Sequence, residues 1–196
     1  MTENNKGSMQ RYAMLFGTYM GGFWIAKFTL FPLGLSSPFL LVIFLGLTLY
    51  VPFLGFKYTK KYREQVLGGS ISFLHAWAFN LLLYAFAALL TSMAHYVYFQ
   101  FIDHGYILST YQTLLEEVSA TAAPGMESYI SQLKTNLELV KSLSPLDITF
   151  QLISQNIFYG SLIALPTALF AMKKAPYESS DNLEQPSKQI AHWIFQ

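Results

Sequence analysis

From Ile71 to Ile102 the chain is almost continuously apolar, and at about 1.5 Å per helical residue this makes roughly 48 Å of helix against a hydrocarbon core of about 30 Å. Such a run reads as a transmembrane helix that tilts or protrudes. Ahead of it stand the basic residues Lys57, Lys60, Lys61 and Arg63 and the pair Gly68-Gly69, which together read as a cytoplasmic loop feeding the helix. Composition agrees with a membrane setting. The chain is 53% hydrophobic and only 12% charged, against about 25% charged in soluble domains.

Three more spans follow from the same criterion. Tyr12 to Leu35 is apolar for about the 20 residues that cross a bilayer. Lys6 and Arg11 precede it as they would in a signal peptide, but the run is too long for an h-region and no small-residue cleavage site follows. Its Gly17-x-x-x-Gly21 spacing allows close approach of two helix backbones, most simply as ordinary packing. Ser36-Ser37-Pro38 then makes a tight link, with Ser37 as N-cap and Pro38 at the first helical position, so the next span, Pro38 to Phe56, forms an antiparallel pair with the first. Pro52 is expected to kink it. The last span runs from about Asp147 to Met172, introduced by Ser144-Pro145, bent at Pro166 and stopped by Lys173-Lys174.

Between the third and fourth spans, residues 103–143 form the one sizeable extramembrane region. Ile107, Leu108, Tyr111, Leu114, Leu115 and Val118 keep a helical period, as do Met126, Tyr129, Ile130, Leu133, Leu137 and Val140. Ala122-Ala123-Pro124-Gly125 breaks the two apart, which predicts a pair of amphipathic helices. Residues 175–196 read as a polar, flexible tail whose final Ile190, Trp193, Ile194 and Phe195 suit a membrane interface.

Charge sets the orientation. With the N-terminus inside, the cytoplasmic pieces hold Lys6, Arg11, Lys57, Lys60, Lys61, Arg63, Lys173, Lys174 and Lys188, nine of the 12 basic residues. The outer region holds Lys134 and Lys141 against Asp103, Glu116, Glu117, Glu127, Glu138 and Asp147, a local charge of −4. Formal net charge is +1, so no global field marks nucleic acid as a partner. The expected architecture is all-α: one domain of four transmembrane helices over residues 1–174, with an extracytoplasmic amphipathic hairpin between helices 3 and 4 and both termini cytoplasmic.

Enzyme templates fail. With no cysteine there is no thiol nucleophile, iron–sulfur cluster or cysteine zinc site, and the phosphate-loop, dinucleotide, His-Glu-x-x-His and Gly-x-Ser-x-Gly patterns are missing. No two histidines have the spacing of four that puts two ligands on one helix face, so neither a metal nor another cofactor is expected. The polar residues inside the spans are the remaining candidates. Asn80, Tyr84, Thr91 and His95 fall on one stripe of the third helix at 100° per residue and should face the interior. Gln151, Gln155 and Tyr159 repeat at spacings of four on the last helix and are expected to face that stripe. Lys27 is the costliest residue, at about 2.5–3.5 kcal/mol for a lysine at a helix centre. Snorkelling, or pairing with Asp103 or Asp147, is its structural reading. A charge in a binding cavity or ion pathway is the functional one.

The run Gly68-Gly69-Ser70-Ile71-Ser72-Phe73, the segment Tyr98-Phe99-Gln100-Phe101-Ile102-Asp103, the helical insert and the closing Lys-Lys together resemble a family of small inner-membrane proteins of Bacteroidota known only as domain of unknown function 4199. The resemblance covers roughly Tyr12 to Lys174 and implies a four-helix topology and an inner-membrane address, with no activity to carry over. His104 stands where that family often has proline, a departure bearing on how the outer helix starts. The expected function is a non-enzymatic structural or accessory subunit in the lipid bilayer that binds another membrane protein or forms a homo-oligomer. The alternative is a small transporter or channel component using the polar seam with Lys27.

Overall fold

Pro38 opens a helix that does not stop where the apolar run stops. In the computed structural model, which describes residues 3–174, six helices follow one another: α1 (Glu3–Gly34), α2 (Pro38–Gln65), α3 (Phe73–Phe101), α4 (Tyr106–Ala120), α5 (Glu127–Lys141) and α6 (Pro145–Ala171). The expected basic loop is thus a correction: Lys57 to Arg63 are the last turns of α2. Lysine and arginine are good helix formers, and here the helix keeps two faces. Thr59, Tyr62 and Arg63 are buried while Lys57, Lys60 and Lys61 stay exposed. The true connection is short. Gly68 and Gly69 take φ of +67° and +93°, a region open to glycine, and let the chain reverse so that Ser72 accepts a hydrogen bond from the His75 N–H and starts α3. Between them Ile71 exchanges two backbone hydrogen bonds with Lys173, of 2.9 and 3.0 Å, clipping this turn to the end of α6.

The polar lead before Tyr12 joins α1, which begins at Glu3. The tail expected over 175–196 lies outside the described residues.

Among the described residues α3 is the centre of the packing, set against α1 on one side and α6 on the other, while α2 packs on α1 and α6 and touches α3 less. Small residues allow this closeness. A methyl group on Gly17 would meet Phe86 Cβ at 2.6 Å and the Leu83 carbonyl at 2.9 Å, and one on Gly21 would meet the Ala87 carbonyl at 3.2 Å, so the Gly17-x-x-x-Gly21 pair seats α1 on α3. On α6 the inward stripe is Gly160, Ala164, Thr167, Ala168 and Ala171. Aromatic stacking completes the interior, with Tyr62 on Phe79 at 4.3 Å and Trp24 on Tyr84 at 6.0 Å.

The outside is apolar. Phe39, Leu49 and Phe170 are 71%, 73% and 80% exposed, a surface that in water would form patches far larger than monomers tolerate. Helices α2, α3 and α6 are each long and apolar enough to cross a membrane. In lipid, contacts between helices gain little from apolar burial itself, which is why glycine, alanine and hydrogen-bonded threonine dominate the interfaces.

Helix starts differ in quality. Ser144 and Asp147 form a reciprocal capping box, the serine accepting from the Asp147 N–H at 3.2 Å and the aspartate from the Ser144 N–H at 3.1 Å. Ser37 stands at the N-cap of α2, yet its side chain makes no capping bond. Before α4, Asp103 accepts from the Gly105 and Ile107 N–H groups at 3.1 and 3.2 Å, a bend that puts His104 at φ 44°. Proline, locked near −65°, could not occupy that conformation. Helices α4 and α5 pack mainly on each other, and the Ser36 hydroxyl meets the Tyr106 hydroxyl at 2.6 Å to tie α4 to the α1–α2 turn.

Candidate functional site

The stripe on α3 divides into two places. Asn80 and Tyr84 belong to a closed knot near the basic end. Asn80 donates from Nδ2 to the Thr59 hydroxyl and to the Ala76 carbonyl, both at 2.8 Å, and Thr59 donates to the Gly55 carbonyl at 2.8 Å. Gly55 is needed there because a Cβ would collide with the Tyr84 hydroxyl. Asn80 Oδ1 is buried without a partner among the described residues, and the Tyr84 hydroxyl is turned toward Thr167 of α6. Thr59 and Gly55 were missed in the sequence because both lie on the α2 face that looks like a run of lipid-facing residues. Their only signal is small size.

Thr91 and His95 line a different space, a cavity of about 220 Å³ toward the α4–α5 end. Ala87 and Ala88, both 0% exposed, lie between the two places on α3, and Tyr84 of the knot stacks on Trp24 of the cavity wall. Thr91 donates to the Ala87 carbonyl at 2.8 Å, which holds its hydroxyl against its own helix. The ring of His95 meets Phe28 edge-on at 4.2 Å. Trp24, Lys27, Phe28 and Phe31 of α1, Phe44 of α2, and Leu152 and Asn156 of α6 complete the wall.

Lys27 enters this cavity from α1. Its ammonium lies 5.3 Å from the Phe44 ring centroid and 5.9 Å from that of Trp24. Cation–π contacts of this kind are worth about 0.5–2 kcal/mol, against the roughly 2.5–3.5 kcal/mol cost of a central lysine, so they offset only part of it. Neither acid expected as its partner is free: Asp103 caps α4 and Asp147 caps α6. The ion pairs among the described residues are Arg63–Glu64 and Lys141–Glu138, both remote from it in sequence. Trp24 and His95 line the cavity, while the indole Nε1 of Trp24 and Nδ1 of His95 are themselves sealed from it and have no hydrogen-bond partner among the described residues.

The last helix requires a correction. Gln151, Gln155 and Tyr159 are exposed, on the side of α6 turned from α3. Their spacing of four shows that they share a face but not which face packs, and the small residues Gly160, Ala164 and Thr167 take the inward one. The polar residue that α6 does bring to the cavity is Asn156. No group of three or more metal-ligating side chains converges among the described residues.

A second hollow, about 560 Å³, lies between α4 and α5. Its lining includes Leu108, Tyr111, Leu115, Leu133, Leu137 and Val140, residues that the helical period marked in both segments. The first turns of α4 are buried at Ile107, but Tyr129 and Leu133 stand 69% and 53% exposed.

No curated protein and no solved structure matches the chain. A family model does, over residues 15–173, from the first long helix through the strand-like clip at Lys173, and the chain therefore belongs to the family described as "Protein of unknown function (DUF4199)".

Proposed function

We propose that the chain is a four-span inner-membrane protein with both termini in the cytoplasm, acting without catalysis as an accessory subunit that holds another membrane protein through its outer helix pair. The observation that carries this reading is the α4–α5 hollow, apolar within and left uncovered by the other described residues. Grooves of this form take the apolar stripe of a partner helix. Around it Glu116, Glu117, Glu127 and Glu138 outnumber Lys134 and Lys141, and Lys141 is already held by Glu138 and Gln112 at 2.7 Å each. An acidic rim repels a second copy of itself and favours a basic partner, which sets a heterologous partner ahead of self-association.

The four-span topology is supported by the course of α1. Gly17 meets Leu83 and Phe86, Gly21 meets Ala87 and Leu90, and Phe28 meets His95 and Tyr98, so α1 runs parallel to α3 along most of its length. That course sets α1 beside a helix long and apolar enough to span.

The alternative, a transporter or channel component, draws on the Lys27 cavity. The outward glutamines speak against a continuous polar path. The test of the accessory reading is purification of the tagged chain in a mild non-ionic detergent with native mass spectrometry, beside Leu133→Glu. A stoichiometric membrane-protein partner lost in the variant, whose own thermal unfolding is unchanged, supports it. A partner retained by the variant, or a chain that comes off alone or as a homo-oligomer, overturns it.

A further inference from the structure

We propose that the cavity around Lys27 binds the carboxylate of an organic monoanion whose apolar body packs on the surrounding phenylalanines. This site is independent of the α4–α5 surface and stands whether or not that surface holds a partner.

Three observations converge. First, the cavity holds a cation that no acid of the described residues neutralises, since Asp103 and Asp147 are both spent on helix starts. A neutral ligand would leave that charge unmatched, and a metal cation would be repelled. Second, α6 brings one neutral polar side chain, the Asn156 amide, to the wall of the same cavity. A carboxylate is acceptor-only, with two oxygens and about four lone-pair sites. It matches an ammonium and an amide N–H. Third, most of the remaining wall is apolar: Trp24, Phe28, Phe31, Phe44 and Leu152. A phosphate dianion, with more charge and more oxygens, would face one cation, one amide and a wall of rings. A single carboxylate on a hydrocarbon or aromatic body suits both parts. At about 220 Å³ the cavity lies below the roughly 300–1,000 Å³ of drug-sized sites, so the body is small or is the head end of a longer chain.

Such an acid can arrive from water or from the bilayer, and two probes separate the sources. The full chain is purified in a maltoside detergent and titrated with benzoate or oleate, beside benzyl alcohol and oleyl alcohol. The readouts are the thermal unfolding midpoint and tryptophan fluorescence. A saturable rise of the midpoint with benzoate assigns a water-borne acid, and one with oleate alone assigns a lipid-derived acid; either supports the site, provided the matching alcohol gives none. Lys27→Met should weaken the effective acid by about tenfold or more, whereas Lys27→Arg should keep it within a few-fold. Lys61→Met, an exposed lysine of α2, should leave binding as it is. Equal effects of acid and alcohol, no saturable effect of either acid on the unsubstituted chain, or undiminished binding by a folded Lys27→Met protein each overturn the proposal. The first two outcomes need no variant, so failure of a substituted chain to fold does not protect it.

Discussion

Arg63 donates from Nη1 to the carbonyl oxygen of Ala171 at 2.7 Å, joining residues 108 apart in the chain. The last carbonyls of a helix have no intrahelical donor, and a cation placed there also meets the negative end of the helix dipole. Arg63 therefore closes α6 from the side of α2, next to the backbone clip between Ile71 and Lys173.

Arg63→Ala should remove that bond and leave the Ala171 carbonyl short of a donor, at a cost of about 1.5–3 kcal/mol for a hydrogen bond involving a charged group. The unfolding midpoint in detergent should drop. Lysine at the same place keeps the charge but not the planar fork, and should recover only part of the loss. An alanine variant as stable as the parent would mean the contact holds nothing together.

Gly17 and Gly22 lie on different sides of α1. A Cβ on Gly17 meets backbone and Phe86 closer than 3.0 Å, while one on Gly22 meets nothing within 4 Å. Gly17→Ala should therefore cost about 1–3 kcal/mol by overpacking, and Gly22→Ala should be neutral or slightly stabilising through helix propensity. If the two variants unfold alike, the α1–α3 contact is not set by glycine.

Two serines that look equivalent in sequence should behave differently. Ser144 sits in a full capping box, so Ser144→Ala should cost about 0.5–2 kcal/mol and speed hydrogen exchange in the first turn of α6. Ser37 makes no side-chain cap bond, and Pro38 needs no N–H partner, so Ser37→Ala should change little. Matching losses in the two variants would contradict this assignment.

The contrast shows what periodicity can and cannot say. Asn80, Tyr84, Thr91 and His95 were legible as an inward stripe because α3 has partners on two sides and every polar residue on its inner face is enclosed. The apolar faces of α4 and α5 were legible for the same reason, since the two helices meet along them. On α6 the rule misleads: a spacing of four groups Gln151 with Gln155 and Tyr159 but is silent on which face a neighbour takes, and that choice follows the small residues. The basic cluster likewise reads as a loop by charge alone, although Tyr62 and Arg63 carry the helix and bury one side of it. Arg63 with Ala171, and Ile71 with Lys173, are long-range pairings that no local pattern announces.

The last prediction concerns α1, whose hydropathy falls short of the other long helices because Lys27, tyrosines, Trp24 and five glycines lie within it. Of these, Lys27 and Trp24 line the cavity and Gly17 and Gly21 meet α3, so part of the low hydropathy here reflects packing against α3 and the cavity. The chain has no cysteine, which makes single-cysteine labelling clean. Gln10, Lys60 and Ser131 are exposed and lie in the early turns of α1, in the closing turns of α2 and on α5. With both basic ends inside, Ser131→Cys should react with a membrane-impermeant maleimide in intact spheroplasts, and Gln10→Cys and Lys60→Cys only after permeabilisation. Labelling of Gln10→Cys from outside, with Lys60→Cys still protected, would mean that α1 does not cross and that the chain has three spans. Labelling of all three as predicted would put Lys27 and its cavity inside the membrane, with α4 and α5 on the outer face.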